Sequence, residues 1–216
     1  MFIILKILSY PLLLVFLAIN GYCLYKLGFD IYVNYLVYTW IGAGIFGYLL
    51  VLAPIFRKNL EFLETFTHEL IHTVVGLLFL QRIHSFTATD GGGGAIEHSG
   101  RHNRNVFITL SPYFLPIYTI FFILIKLMII ESSIYIFDII IGLTFGFHLL
   151  AMMKDIRPYQ TDLQKFGYFF SYLFVIAFLI FMTCIVLWSI KDGLGGAFAN
   201  WWNVALESYT WVRGFI

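Results

Sequence analysis

The chain has 216 residues, of which 61% are hydrophobic and only 12% are charged, with a formal net charge of +1. Soluble globular domains carry about a quarter charged residues and about half apolar residues, and one domain of this size could not bury the excess. The composition therefore excludes an ordinary water-soluble domain and predicts a protein in contact with the lipid bilayer. With so small a net charge and no basic run, no nucleic-acid partner is expected.

Six stretches are long and apolar enough to be transmembrane helices, because about 20 apolar residues cross the hydrocarbon core. They cover residues 2–25, 33–56, 61–80, 105–130, 133–153 and 166–190. We therefore expect an all-α integral membrane protein with about six transmembrane helices, in which residues 1–216 form a single polytopic domain. A C-terminal tail of about residues 191–216, with Trp201, Trp202 and Trp211, is expected at the membrane interface.

The third stretch is the least hydrophobic of the six and contains the segment His68-Glu69-Leu70-Ile71-His72. Two histidines four residues apart lie on one face of an α-helix and can bind one metal ion. Glu69 can act as the general base for a metal-bound water, as in the HExxH motif of zinc enzymes. Histidines and a glutamate at membrane depth are costly unless they have a function. The alternative is that the two histidines only form hydrogen bonds between helices.

A catalytic zinc ion needs a third protein ligand and one open position. The loops that face the C-terminal half of the HExxH helix, residues 81–105 and 154–165, are the expected source of this ligand. Asp162 is favoured because it stands where the chain enters the sixth stretch, and a helix start that enters the bundle can bring its carboxylate inward. Asp155 is the competing candidate, with a solvated loop charge between Lys154 and Arg157 as the alternative. His148 in the fifth stretch is a candidate auxiliary residue, either as a ligand, as a donor to the transition state or as a hydrogen-bond partner between helices. The remaining histidines of the first loop, His84, His98 and His102, are expected in solvent.

A run of glycines, Gly91–Gly94, interrupts the loop after the HExxH helix. The flanking residues 85–89 and 95–97 are expected to form a short β-hairpin with the glycines at its turn. Pro112 and Pro116 follow in the fourth stretch, where they predict either a deformable gate or a simple kink.

Several of these segments share a resemblance to one family. THELIHTVVGLLFL, the glycine-rich hairpin, SPYFLP and the later FHLLAMMKDIRPYQTDLQKFG resemble the site-2-protease class of intramembrane zinc metallopeptidases, in its small bacterial B-type branch. The resemblance covers about residues 60–175, the expected catalytic core. It implies one Zn²⁺ per chain, with His68, His72 and Asp162 as ligands and Glu69 as the catalytic base. It also implies that the hairpin guides the substrate as an extended strand. Asp162 stands in Gln-Thr-Asp-Leu-Gln, whereas the better-known members have Asn-Pro-Asp-Gly or Leu-Asp-Gly.

The resemblance implies a zinc-dependent endopeptidase that hydrolyses a peptide bond in or near a transmembrane segment, with a single-pass membrane protein as substrate. The expected location is the bacterial inner (cytoplasmic) membrane, as a multi-pass protein. Two alternatives stay open. The metal site could serve transport, sensing or binding without proteolysis, or the enzyme could hydrolyse a small lipid-soluble amide or ester.

Overall fold

The computed structural model describes residues 2–81, 83–88, 94–98, 105–128, 134–157 and 159–213. These residues are helical apart from one pair of strands and the connecting segments. Two short turns connect α-helices: a π-helical turn, Tyr48–Leu52, and a 3₁₀ turn, Ser111–Tyr113. The elements in chain order are α1 (Phe2–Val33), α2 (Tyr35–Gly47), α3 (Ala53–Ile55), α4 (Arg57–Leu78), β1 (Ile83–Ala88), β2 (Gly94–His98), α5 (Val106–Leu110), α6 (Ile117–Lys126), α7 (Ile134–Asp155), α8 (Thr161–Lys165) and α9 (Tyr168–Arg213).

Four helical segments of the described ranges are long and apolar enough to cross a membrane. A fifth candidate is the pair Val106–Tyr113 and Ile117–Lys126, which is bent by 81°. By length and composition the chain is a membrane protein with four spans, or five if the bent pair counts as one. The predicted count of six is not supported. The four segments are Ser9–Val33, Tyr35–Ile55, Tyr135–Asp155 and Tyr168–Thr210.

Helix α4, which covers most of the predicted third span, is not among the candidate spans. It carries Glu61, Glu64 and Glu69 in addition to the two histidines, and charged side chains are costly in hydrocarbon. Its apolar face packs inward, where Ile71 and Val75 are buried. The prediction of a span relied on the apolar length of this segment and placed its polar face towards a protein interior or a water-filled cavity.

The break between α5 and α6 follows from the two prolines. Asn105 caps the start of α5, because its side-chain oxygen accepts a hydrogen bond from the backbone N–H of Phe107 at 2.9 Å. Pro112 and Pro116 have no N–H to continue the helical hydrogen bonds. The chain therefore bends before α6 begins at Ile117, and α5 remains beside α4.

Helix α9 contains a sharp break at Gly193, whose φ of 69° lies in the left-handed region that favours glycine. Beyond the break the chain turns back. Asn200 Nδ2 lies 2.7 Å from Asp192 Oδ2, and Trp201 Nε1 donates to Asn20 Oδ1 at 2.8 Å. The first part of the expected interfacial tail therefore packs against α1.

Close backbone packing joins α2 to α7. A Cβ atom added at Gly44 would lie 2.2 Å from the Ile139 carbonyl oxygen, and one added at Gly142 would lie 2.2 Å from the Ile41 carbonyl oxygen. Small residues allow helices in a membrane to approach in this way. This crossing holds α7 against α2 and thereby sets the position of the C-terminal end of α7.

The opposite end of α7 is held by an ion pair. Lys126 Nζ on α6 lies 2.6 Å from Asp138 Oδ1 on α7 and donates to the Ile190 carbonyl oxygen of α9 at 3.1 Å. The side chains of Lys126 and Asp138 are only 12% and 7% exposed. One cation therefore joins three helices at the end of the bundle away from α4.

The strands β1 and β2 pair in antiparallel fashion, with Ser85 opposite Glu97 and Ala88 opposite Gly94. The expected turn glycines Gly91–Gly93 and His102 lie outside the described residues, as do the side chains of His84 and His98.

Candidate metal centre

The two histidines of the HExxH segment lie on one face of α4, as their spacing predicts. Their ring centroids are 4.9 Å apart. The side chains of His68 and His72 are 14% and 12% exposed, so both are mostly buried inside the protein. Their Nε2 atoms point towards the same carboxylate, that of Asp162.

Asp162 brings the third candidate ligand from the short helix α8. Its Oδ2 atom lies 3.1 Å from His72 Nε2 and 3.6 Å from His68 Nε2. Leu163, the next residue, is completely buried, and Ser171 Oγ donates to its carbonyl oxygen at 2.9 Å. These contacts attach α8 to the core and to α9, so the Asp162 carboxylate is directed inward.

The other oxygen of Asp162 lies 3.0 Å from Lys165 Nζ. Burial alone would raise the pKa of Asp162, but hydrogen bonds to His68 and His72 and the charge of Lys165 hold it well below its usual range. The carboxyl group is therefore ionised at neutral pH, the form in which it can bind a metal.

These three side chains form a group that could hold a metal ion, since their ligand atoms all lie within 4.8 Å of one another. Metal–ligand bonds of about 2.1 Å in a tetrahedral site place neighbouring ligand atoms about 3.4 Å apart. The two distances from Asp162 Oδ2 to the imidazoles are close to that value. Two imidazoles and one carboxylate with a fourth position open are also a donor set that catalytic zinc uses. The residues present therefore fit a zinc ion.

Glu69 occupies the position next to His68 on α4 and is partly buried. Burial raises the pKa of Glu69 above its ordinary value, and the nearby imidazoles of His68 and His72 oppose this effect. A carboxylate with a raised pKa is a better proton acceptor than an exposed one. Glu69 is therefore placed to exchange a proton beside the candidate metal ligands.

In each imidazole, the nitrogen that faces away from Asp162, Nδ1, has its own hydrogen-bond acceptor. His68 Nδ1 lies 3.0 Å from Asp155 Oδ2, and His72 Nδ1 lies 2.8 Å from the Ile108 carbonyl oxygen. Asp155, the competing candidate for the third ligand, thus contacts the side of the His68 ring that faces away from Asp162. The sequence predicts Asp155 as a ligand or as a solvated loop charge, and it does not identify Ile108.

Two further groups with buried polar atoms lie on neighbouring elements. The ring of Tyr113 packs edge-on against His68 with centroids 5.5 Å apart, and its buried hydroxyl has no hydrogen-bond partner among the described residues. His148 is buried on α7, seven residues before Asp155, and its Nε2 has no described partner either. The described metal-binding group does not include His148. Tyr113 belongs to the SPYFLP segment, which contributed to the family resemblance, but the sequence does not predict this tyrosine as part of the site.

Comparisons with protein-family models, with curated proteins and with solved structures gave no match to this chain.

Proposed function

We propose that this chain is a zinc-dependent intramembrane endopeptidase of the site-2-protease type, located in the bacterial inner membrane. The observation that carries the proposal is the convergence of His68 Nε2, His72 Nε2 and Asp162 Oδ2 beside Glu69. The apolar spans around this polar group support a reaction at the membrane. A single-pass membrane protein is the proposed substrate.

His68, His72 and Asp162 hold the zinc ion in this proposal. Bound zinc would polarise a water molecule and a substrate carbonyl, which is the chemistry that the protein side chains cannot supply alone. Glu69 accepts the proton that the attacking water loses. It then gives that proton to the leaving amine, so that the carboxylate returns to its starting state.

The position of the site favours a scissile bond near one end of the substrate's transmembrane helix. Asp155, which contacts His68, is the last residue of α7, and Asp162 lies in the segment that follows this span. Helix α4 carries the charges that a span across the bilayer would have to bury. Water and polar substrate flanks reach such a place more readily than the centre of the hydrocarbon core.

The strand pair supplies a candidate surface for the substrate. In a sheet of two strands, each strand has one edge without a partner strand in the described residues. An extended peptide can add to such an edge through main-chain hydrogen bonds. The substrate helix would have to unwind locally first, since a carbonyl that is hydrogen-bonded in a helix is poorly placed for attack.

The proposal is tested with purified protein reconstituted in liposomes with a panel of model single-pass substrates, each a transmembrane helix with short flanks. New chain termini are detected by mass spectrometry. We expect cleavage by the zinc-loaded wild type and at least about a 100-fold slower reaction for Glu69→Gln, which loses the proton acceptor but retains zinc. Glu61→Gln makes the same change on the exposed surface of α4 and should cleave at the wild-type rate.

Two outcomes would contradict the peptidase proposal. If Glu69→Gln cleaved as fast as the wild type at equal zinc content, the catalytic role of Glu69 would be wrong. If the zinc-loaded wild type cleaved none of the panel, a metal site for transport, sensing or binding would be favoured. Hydrolysis of a small amide or ester that depends on Glu69, without peptide cleavage, would keep the enzyme and change its substrate.

A further inference from the structure

Both histidines of the metal centre have the same arrangement of contacts. The Nε2 atoms face Asp162, and the Nδ1 atoms face acceptors on two other elements, Asp155 at the end of α7 and Ile108 on α5. Both acceptors are oxygens, so a neutral imidazole bonds to them through Nδ1–H. The lone pair is then on Nε2, where a metal would bind.

The Ile108 carbonyl is available to His72 because of Pro112. In an α-helix this carbonyl would accept the backbone N–H of the residue four positions later, and that residue is a proline without an N–H. The carbonyl oxygen instead accepts hydrogen bonds from Ser111 Oγ at 2.9 Å and from His72 Nδ1 at 2.8 Å. A carbonyl oxygen has two lone pairs, so these two donors use its capacity.

Asp155 lies beside His68 where the end of α7 meets α4, and a second ion pair joins the two helices at the same place. Lys154 forms an ion pair with Glu64, and the following residue, Asp155, contacts His68. Glu64 and His68 are four residues apart, one turn along the same face of α4. The Asp155 side chain is 30% exposed, so it is at the edge of the buried site.

We propose that Asp155 and the Ile108 carbonyl freed by Pro112 are positioning groups, which present the Nε2 atoms of His68 and His72 to the metal. In this proposal Pro112 supports the metal centre, a role that neither the gate nor the kink predicted from the sequence includes. This inference rests on the zinc site of the proposed function but does not depend on peptidase activity. Mutation of such hydrogen-bond partners of metal-binding histidines typically lowers metal affinity by 10–100-fold.

The role of Asp155 is tested by measuring zinc affinity through chelator competition on the full chain in detergent. We expect Asp155→Ala to bind zinc 10–100-fold more weakly at unchanged stoichiometry. Asp155→Asn, which retains an acceptor oxygen, should bind with intermediate affinity, and Asp155→Glu should recover part of the loss. The visible absorption of the Co²⁺-substituted protein should also change in Asp155→Ala, since the His68 ring is no longer oriented.

Two results would overturn this role. Wild-type affinity in Asp155→Ala would show that the contact does not matter to the metal. Complete loss of the bound zinc, as expected for Asp162→Ala, would show that Asp155 is a ligand. A wild-type chain that binds no zinc would overturn the inference together with the zinc site, whereas zinc binding without cleavage would affect only the peptidase proposal.

The role of Pro112 is tested against the other proline of the same break. Pro112→Ala adds an N–H that competes with His72 for the Ile108 carbonyl, so we expect at least a 10-fold loss of zinc affinity. Pro116→Ala makes the same chemical change, but the carbonyl four positions earlier is that of Pro112, which His72 does not use. It should bind zinc within twofold of the wild type. Equal effects of the two substitutions would contradict the role of Pro112.

A spectroscopic measurement on the wild type does not depend on the folding of any variant. In ¹⁵N-histidine NMR of the zinc-loaded protein, we expect His68 and His72 to carry their proton on Nδ1 and the metal on Nε2. The histidine resonances that shift when zinc is added to the wild type would identify the two rings. A proton on Nε2 of either of these rings would overturn the inference.

Discussion

His72 Nε2 lies 3.1 Å from Asp162 Oδ2, although ninety positions separate these residues in the chain. The contact depends on α4, which presents His72, and on α8, which Leu163 and Ser171 attach to the core and to α9. The metal centre is therefore a property of the whole helix bundle. Changes that loosen the bundle should act on the site, and changes confined to the lipid-facing surface should not.

The crossing of α2 and α7 gives the first prediction. Gly44→Ala places a methyl group where the Ile139 carbonyl oxygen is 2.2 Å away, so the two helices must separate. We expect a decrease of about 1–3 kcal/mol in the free energy of unfolding, the usual effect of overpacking. Gly42→Ala on the same helix meets nothing within 4 Å and should leave that free energy unchanged or raise it. Equal stabilities of the two variants in denaturant titrations would contradict the close crossing.

The buried pair of Lys126 and Asp138 gives a second prediction. Lys126→Met leaves the Asp138 carboxylate buried without its cation, which should lower the free energy of unfolding by about 3–5 kcal/mol. Replacing both residues, as Lys126→Met with Asp138→Leu, removes the unpaired charge and should recover most of the loss. The zinc affinity of the double variant should equal that of the wild type, because the pair joins helix ends that lie away from the metal centre. A double variant no more stable than Lys126→Met would contradict this account of the pair.

The third prediction concerns the pH dependence of zinc binding. Burial alone would lower the pKa of His68, but hydrogen bonds to Asp155 and Asp162 outweigh it and raise the pKa to about 9. Without metal, His68 is therefore protonated at neutral pH, and zinc must displace that proton. Zinc affinity should rise with pH up to about 9, and zinc binding at pH 8 should release a proton. Asp162, whose pKa is already low, contributes no proton in this range.

Calorimetric titrations with zinc, in two buffers of different ionisation enthalpy, measure the number of protons released. Asp155→Asn removes one of the carboxylates that hold the proton on His68 and should shift the dependence to lower pH. An affinity that stays constant between pH 6 and pH 9 would contradict this prediction.

The sequence predicted the local features of this protein better than its membrane topology. Two histidines at helical spacing need only one helix to share a face, so the relation between His68 and His72 followed from the motif itself. Asp162 was favoured because it stands where the chain enters a span, and in the structure its carboxylate contacts both imidazoles. Its role as a metal ligand stays a prediction. Helix α4 was predicted to be a span because the number of apolar residues in a segment does not show which face of the helix its glutamates occupy.

The outer contacts of the site were not predicted, for two different reasons. The Ile108 carbonyl is a backbone group and carries no signal in its own residue type, although Pro112 four positions later shows that this carbonyl lacks its helical donor. The Asp155 contact depends on how α7 lies beside α4, which no local pattern encodes. The return of the chain after Gly193 was also missed, because a glycine near a helix end is equally typical of a simple stop.

The central claim is that His68, His72 and Asp162 hold one zinc ion, and zinc-edge X-ray absorption of the purified chain tests it most directly. We predict one zinc per chain with two imidazole nitrogens and a carboxylate oxygen at roughly 2.0–2.2 Å. Zinc should be lost from His72→Ala and from Asp162→Ala, and it should be retained in Glu207→Ala, which removes a remote exposed carboxylate. A wild-type protein without zinc, or a spectrum that Asp162→Ala leaves unchanged, would contradict the account.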